Sequence, residues 1–193
     1  MLTIDRLKLP QRQDLQPLKR PVWAFDLDGT VFSMKRVIHH FNDFTGKSLK
    51  LADMTDYSFA KVYGLPDEVA QKIIDETQTD VILNSNVLQK AADLAQRAWQ
   101  HGYEVDIVTA RKEQYLPATI QALKQGHIPY RKIYIGTNDK GPILEKIHAV
   151  HYFDDQGQLI QRLKNSSLDG KCELTLIDAP YNQGFECDDR MAV

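Results

Sequence analysis

Two aspartates separated by one residue follow the first apolar run of the chain. Asp26 and Asp28 come directly after Val22–Phe25, and Gly29 and Thr30 follow them. Side chains alternate along a strand, so positions i and i+2 point to the same side. Two carboxylates at one point stay ionised only beside a cation or a hydrogen-bond donor. The pattern indicates either a reactive acidic pair with a metal ion or an ordinary acidic turn containing Asp-Gly.

Three later apolar runs also end near groups that suit a phosphate or a metal ion. In chain order these groups are Thr109, Lys140 and the adjacent pair Asp154 and Asp155. In open α/β sheets, ligands bind at the carboxyl ends of the strands. Together with Asp26 and Asp28, these groups follow four strand-like runs. One shared site explains this arrangement better than four unrelated turns do.

These motifs resemble those of the haloacid dehalogenase-like superfamily of phosphohydrolases. The first motif of that superfamily, DxDGT, matches residues 26–30. The second, a Thr or Ser that ends a strand, matches Thr109, and the third, a lysine, matches Lys140. The fourth, an acidic pair after a strand, matches Asp154 and Asp155, so the resemblance extends over about residues 21–182.

Within the superfamily the chain resembles the 5′(3′)-deoxyribonucleotidase family. The spacing of the motifs suits that family, and the segment 176–182, with the sequence LIDAPYN, is similar to its terminal strand and loop. The resemblance implies that the substrate is a deoxyribonucleoside monophosphate, often a pyrimidine one. Gln156 stands where a basic residue often follows the acidic pair in relatives, which is a departure from the family pattern.

The acidic residues predict phosphate-ester hydrolysis through an aspartyl-phosphate. Asp26 is the expected nucleophile, because a carboxylate can divide one difficult step into two easier ones. Asp28 is the expected general acid and base for the leaving group and the attacking water. A hard cation must offset these charges, and Mg²⁺ prefers a few carboxylates together with water and phosphate oxygens. We expect Asp26, Asp154 and the main-chain carbonyl of Asp28 to bind it, with Asp155 orienting the site.

The transferring phosphoryl group needs donors and a positive charge. Thr109 offers a hydroxyl, and the backbone N–H groups of Ala110 and Arg111 add donors where the next helix begins. Lys140 is expected to neutralise Asp26 and the developing charge of the transition state. Lys146 is the competing lysine, but Lys140 precedes its helix and can reach the strand edge.

Apolar strand-like runs alternate with helix-like stretches, which predicts an α/β fold with a Rossmann-like parallel sheet flanked by helices. The expected strands are 21–27, 103–109, 132–136, 150–154 and 172–177. Residues 33–85 show helical signals instead, and they are too many for a plain crossover. The predicted divisions are an N-terminal arm 1–20, a core formed by 21–32 and 86–182, a helical cap 33–85 inserted after the first strand, and a C-terminal tail 183–193.

Aromatic side chains near the nucleophile loop are candidates for contact with a nucleobase. Phe32 follows the acidic motif closely, and Phe59 lies in the predicted cap. Stacking of a base on an aromatic ring contributes about 1–3 kcal/mol. The alternative is that such aromatics build a small apolar core for the cap itself.

Composition narrows the class of protein further. The chain has 193 residues, 42% hydrophobic residues and a net charge of −2. Binding to long nucleic acid favours a basic surface, so we expect a small phosphorylated partner instead. No apolar stretch approaches the roughly 20 residues of a membrane span. Cys172 and Cys187 are expected to be reduced thiols, and the expected location is cytoplasmic.

Two other functions remain open at this stage. The first is a phosphatase that acts on nucleic-acid ends or on sugar phosphates. The second is a catalytically silent binding protein with the same fold, although every expected catalytic side chain is present. The six histidines do not suggest a metal site, because His39 and His40 diverge and His148 and His151 straddle an element boundary.

Overall fold

A computed structural model describes residues 20–192 of the chain. Six strands form one parallel sheet in the order β3-β2-β1-β4-β5-β6. The strands are β1 (Val22–Phe25), β2 (Glu104–Thr109), β3 (Lys132–Ile135), β4 (Ala149–Asp154), β5 (Glu173–Ile177) and β6 (Asp189–Met191). The structure confirms the predicted parallel α/β class. The expected N-terminal arm, apart from Arg20, lies outside the described residues.

Seven α-helices accompany the sheet in this part of the chain. They are α1 (Lys35–Thr45), α2 (Phe59–Tyr63), α3 (Asp67–Asn84), α4 (Gln89–Gln100), α5 (Leu116–Gln125), α6 (Gly141–Ile147) and α7 (Gly157–Lys164). Pro117 and Pro142 occupy the first turns of α5 and α6, where a missing N–H has no cost. Within residues 20–192, no helix combines the length and the apolar character that crossing a membrane requires.

Helices cover both faces of the sheet, so the central strands are apolar on both sides. On one face Phe25 packs with alanines of α4 and with Leu123 of α5. On the other face Ala24 packs with Leu144 of α6 and with apolar residues of α7. Phe25 also stacks on Phe153, with ring centroids 4.4 Å apart. Full burial of a large apolar side chain stabilises the fold by about 1.5–3 kcal/mol, so these contacts hold β1 and β4 in register.

The order of the strands reverses between β1 and β4. The chain moves outward from β1 to β2 and β3, and then crosses through α6 to β4 on the other side of β1. Ligands of doubly wound sheets bind at the carboxyl ends of strands at this kind of switch point. Phe25 pairs with Phe153 in the ladder, and the N–H of Asp26 donates to the carbonyl of Phe153 at 2.9 Å. The acids that follow the two strands are therefore neighbours.

Residues 33–85, called the cap segment below, contain α1, α2 and α3. These helices share an apolar cluster that includes Ile38, Phe41, Met54 and Tyr63. Lys112, in the loop after β2, forms an ion pair with Asp75 of α3 at 2.6 Å. The helix α3 extends to Asn84, and Val81 and Ile82 continue its buried side in the last turns.

The C-terminal segment differs from its prediction. Residues 183–193 were expected to be a tail, but Asp189–Met191 pairs with β5 as the sixth strand. Arg190 anchors it by hydrogen bonds to Asp178 and Asn182. A strand of three residues that is partly polar has no apolar run to signal it. Cys172 and Cys187 are both free thiols.

Candidate active site

Lys140 joins two acids at the carboxyl edge of the sheet. Its Nζ donates to Asp26 Oδ1 at 2.6 Å and to Asp154 Oδ2 at 2.7 Å. All three residues are buried. Lys140 directly precedes α6 and reaches the site from there, whereas Lys146 lies exposed in the last turn of the same helix. The structure thus places Lys140, and not Lys146, between the acids.

Burial and charge set the ionisation of this group. Burial is the largest influence on Asp26 and, reinforced by Asp154 and Asp28, raises its pKa to about 7 against the opposing effect of Lys140. Burial alone would lower the pKa of Lys140, but the charges of Asp154 and Asp26 outweigh it and raise that pKa. The lysine therefore stays charged at neutral pH and is the internal counter-ion of the acids.

Asp154 is held by donors on each of its oxygens. The backbone N–H of Gln156 donates to Oδ1 at 2.7 Å. The hydroxyl of Tyr152 and the ammonium of Lys140 donate to Oδ2. Gln156 is thus in contact with the site through its backbone, where relatives were expected to carry a basic side chain.

Asp155 is also buried, and it is held by residues of the late segment. The hydroxyl of Tyr181 donates to Asp155 Oδ2, and Asn182 Nδ2 donates to the main-chain oxygen of Asp155 at 2.7 Å. Burial, followed by the charges of Asp154 and Asp26, raises the pKa of Asp155 well above its usual range. The carboxylate is thus fixed beside the other two acids.

The glycine of the first motif is required by this packing. Gly29 has φ +80°, and a Cβ built on it would lie 2.1 Å from Asp155 Oδ2. Both the positive φ and the close approach exclude a side chain. The DxDG sequence therefore leaves space for the fourth motif.

The acids fit a hard metal ion. Asp26, Asp154 and Asp155 each offer a carboxylate oxygen, and these atoms lie within 4.8 Å of one another. Oxygen donors at this spacing suit Mg²⁺ or a similar divalent cation. The sequence predicted Asp26 and Asp154 as ligands, and the structure adds Asp155 to the cluster. Coordination by the main-chain carbonyl of Asp28 stays a prediction.

The side chain of Asp28 points to Arg111. Arg111 Nε and Nη2 donate to the two oxygens of Asp28 at 2.8 and 2.7 Å. A third contact joins Arg111 Nη1 to Thr119 Oγ1 at 3.3 Å, and the guanidinium lies 5.4 Å from the ring centre of Phe32. The backbone N–H of Arg111 donates to Thr109 Oγ1 at 3.4 Å. In this state each guanidinium nitrogen of Arg111 donates to a protein oxygen.

Phe32 does not face the substrate space, and this corrects the sequence prediction. Its side chain is only 2% exposed and belongs to the main core. Its backbone N–H closes the turn by donating to the carbonyl of Leu27 at 2.8 Å. The turn after Asp28 thus brings Phe32 back under Arg111. An aromatic ring buried in this way cannot stack on a nucleobase.

A cavity of about 1320 Å³ opens above these groups. Its floor includes Asp26, Asp28, Thr109, Ala110 and Lys140. The cap segment also lines the cavity, and its apolar or aromatic residues there include Met34, Val37, Tyr57, Phe59 and Ile74. Ligand cavities commonly measure about 300–1,000 Å³, so the space exceeds the need of one phosphate and holds a leaving group as well.

The structure also shows residues that the sequence did not assign to the site. Tyr181 and Asn182 contact Asp155, whereas the sequence indicates only that they belong to the late segment 176–182. Arg162 of α7 lines the cavity. Tyr181 and Asn182 lie 26 and 27 positions from Asp155 in the chain. Contacts between residues so far apart in the chain cannot be predicted from a local sequence pattern.

Comparisons with known proteins find curated relatives of low identity. No family model matches the chain. A protein of Halalkalibacterium halodurans named "Putative nucleotidase BH1399" is 23% identical over 166 residues, which cover 86% of this chain and 83% of that protein. Two further curated relatives, from Bacillus subtilis and Clostridium acetobutylicum, also carry nucleotidase in their names.

Solved structures match more of the chain. A haloacid dehalogenase-like family hydrolase from Streptococcus pneumoniae has a TM-score of 0.65 at 14% identity, covering 89% of this chain and 93% of that one. A haloacid dehalogenase family hydrolase from Deinococcus radiodurans, solved with bound phosphate and sodium, has a TM-score of 0.62 at 13% identity and covers 91% and 92% of the two chains. The chain has the haloacid dehalogenase-like fold. The fold that the motifs indicated is therefore confirmed, and the four motifs lie at the carboxyl edge of its sheet.

Proposed function

We propose that this protein is a metal-dependent phosphatase that hydrolyses a small phosphate monoester, with a 5′(3′)-deoxyribonucleotide as its preferred substrate. The observation that carries the proposal is the buried cluster at the switch point, in which Lys140 bridges Asp26 and Asp154. A free carboxylate oxygen beside a fixed positive charge is the arrangement that a nucleophilic aspartate needs to approach an anionic phosphate.

In the first step an oxygen of Asp26 attacks phosphorus. A bond forms between this oxygen and phosphorus while the bond from phosphorus to the ester oxygen breaks. Asp28 delivers a proton to the departing alkoxide, which leaves as an alcohol. Lys140 offsets the charge of Asp26 throughout, and the hydroxyl of Thr109 donates to the phosphoryl oxygens.

In the second step water attacks the phosphorus of the aspartyl-phosphate. Asp28, now a carboxylate, removes a proton from the water, and the bond from phosphorus to Asp26 breaks. Inorganic phosphate leaves, and both acids return to their starting states. Dehalogenase members of the superfamily resemble the first motif but lack the second acid, so the presence of Asp28 favours phosphate chemistry.

The residues that would hold Mg²⁺ are Asp26, Asp154 and the main-chain carbonyl of Asp28, with Asp155 beside them. When bound, the ion neutralises charge on the phosphoryl oxygens as a Lewis acid. The need for such an ion follows from the acidic residues gathered here, which exceed the single positive charge of Lys140.

A nucleoside monophosphate fits the space above the acids. The cavity has polar groups at its floor and an apolar and aromatic side on the cap segment that includes Phe59. The nucleotidase names of the curated relatives favour the same class of substrate. The free thiols Cys172 and Cys187 suit the cytoplasmic location that we propose.

A substrate screen tests the proposal. Phosphate release is measured from 5′ and 3′ deoxyribonucleotides, ribonucleotides, sugar phosphates and phosphorylated DNA ends, with Mg²⁺ or with EDTA. We expect deoxyribonucleotides to give the highest kcat/KM, and we expect EDTA and the Asp26→Asn variant each to abolish turnover. The variant Asp169→Asn, which changes an exposed acid far along the chain, is the matched control. Undiminished turnover by Asp26→Asn would contradict the mechanism.

A further inference from the structure

Tyr181 lies between the cap segment and the acidic cluster. Its hydroxyl donates to Asp155 Oδ2. Its ring meets the ring of Tyr57 edge to face, with centroids 5.8 Å apart and planes at 73°. The same ring packs against the apolar cluster of the cap segment. One side chain therefore contacts both an acid of the candidate metal site and the cap segment.

The turn that carries Tyr181 is anchored to the core by Asn182. The fully buried Asn182 side chain donates to the main-chain oxygens of Asp155 and Ile177, each at 2.7 Å. Its Oδ1 accepts from the N–H of Ala179 and from Arg190 of β6, each at 3.1 Å. Every polar atom of the amide is engaged, so the position of the turn relative to Asp155 is fixed.

The orientation of the Asp155 carboxylate depends on this turn. Oδ2 lies in the space left by the missing side chain of Gly29, and the Tyr181 hydroxyl lies 3.0 Å from the same point. In the described residues, Tyr181 is the side chain that donates a hydrogen bond to this carboxylate. Loss of the hydroxyl leaves the carboxylate free to rotate.

We propose that Tyr181 is a positioning residue, which orients Asp155 toward the cation held by the acidic cluster and links that orientation to the cap segment through Tyr57. The proposal rests on the proposed function only in assuming that a divalent cation binds at these acids. Groups that orient metal ligands typically change metal affinity or activity 10–100-fold when they are removed.

The test uses Tyr181→Phe, which removes the hydroxyl and keeps the ring against Tyr57. Binding of Mn²⁺ is measured by electron paramagnetic resonance on the full chain without substrate. We expect the Kd for Mn²⁺ to rise about 10-fold. We also expect the Mg²⁺ concentration for half-maximal phosphate release to rise by a similar factor, with kcat at saturating Mg²⁺ less affected.

Two further variants separate positioning from simple loss of stability. Tyr63→Phe removes a buried hydroxyl of the cap segment that donates to Ile38 and Asn42, so it should lower Tm without changing the Kd. Tyr57→Leu breaks the ring contact but leaves the hydroxyl of Tyr181 in place. If the link exists, Tyr57→Leu weakens Mn²⁺ binding, and adding it to Tyr181→Phe causes little further loss.

The results that would overturn this proposal differ from those that would overturn the proposed function. A Kd for Tyr181→Phe within twofold of the wild type would overturn the positioning role, as would a wild-type chain that binds no Mn²⁺. A Kd unchanged in Tyr57→Leu would overturn the link to the cap segment. If Tyr181→Phe weakens Mn²⁺ binding while the wild type hydrolyses no phosphate ester, the positioning role stands and the phosphatase function fails.

Discussion

The guanidinium of Arg111 donates two parallel hydrogen bonds to the carboxylate of Asp28, at 2.7 and 2.8 Å. Arg111 is buried, whereas the side chain of Asp28 is 31% exposed, so the arginine is the fixed partner. Both oxygens of Asp28 accept in this state. Under the proposed mechanism, Asp28 must therefore leave at least one of these bonds and take up a proton from solvent before it can protonate the leaving group, and Arg111 sets the position from which it moves.

Replacing Arg111 by lysine tests this role. Lysine cannot form the two-pronged pair, because its ammonium is a single point charge. We expect kcat to fall about 10-fold while KM changes little. This loss is smaller than the usual contribution of a general acid, because Asp28 itself is still present. Steady-state kinetics with the best substrate of the screen provides the measurement. A rise in KM with unchanged kcat would instead mean that Arg111 binds the phosphate directly.

Removal of the internal counter-ion should destabilise the protein. Lys140→Met leaves Asp26 and Asp154 buried without their cation, and loss of one partner of a buried pair costs about 3–5 kcal/mol. We expect this loss in the free energy of unfolding by urea in EDTA, and we expect Mg²⁺ to restore part of it. Turnover at saturating Mg²⁺ should fall about 100-fold or more.

Lys146→Met is the matched control for this prediction. It changes an exposed lysine of the same helix, and surface substitutions usually stay within about 0.5 kcal/mol. Equal effects of the two variants would contradict the assignment of Lys140 to the site.

The close approach at Gly29 gives a second stability prediction. Gly29→Ala adds both the cost of a positive φ, about 1–2 kcal/mol, and a clash with Asp155. Gly64→Ala is the matched control, because Gly64 has φ +67° with nothing within 4 Å of its added Cβ. We expect Gly29→Ala to lose clearly more unfolding free energy than the control, and also to bind Mn²⁺ more weakly. Similar losses would show that Asp155 moves aside without cost.

The metal-free protein should become less stable as the pH rises. The pKa of Asp26 is about 7 in the folded protein, above its ordinary value of 3.8, mainly because of burial. Between these values the folded state binds more protons at Asp26 than the unfolded state does, so the stability that this group contributes is present in full below pH 3.8 and is lost as the pH rises through 7. One such group changes the free energy of unfolding by at most about 1.4 kcal/mol per pH unit.

Urea unfolding in EDTA at several pH values between 5 and 8 measures this slope. Asp155 contributes in the same direction, because its pKa is also raised. The Asp26→Asn variant isolates the contribution of Asp26, and its slope should be shallower than that of the wild type. A stability that rises with pH in both proteins would contradict the direction of the shift.

Local patterns predicted most of the framework. Each apolar run of the core became a strand within a few residues. The exceptions have a physical cause. Phe32 follows the acidic motif by only a few residues, but a tight turn carries it into the core. The strand β6 has three residues, and pairing with β5 rather than its own composition makes it a strand.

The sequence by itself determined that acids, a hydroxyl and a lysine follow four of the strands. Alternating strand-like and helix-like segments predict parallel strands, whose carboxyl ends share one edge of the sheet, so these groups had to lie along that edge. Only the tertiary structure decided which of these groups meet. Placing β1 between β2 and β4 brings Asp28 to Arg111 and Lys140 to Asp154, and the late turn brings Tyr181 to Asp155. Such pairings depend on the order of the strands in the sheet, which no short stretch of sequence specifies.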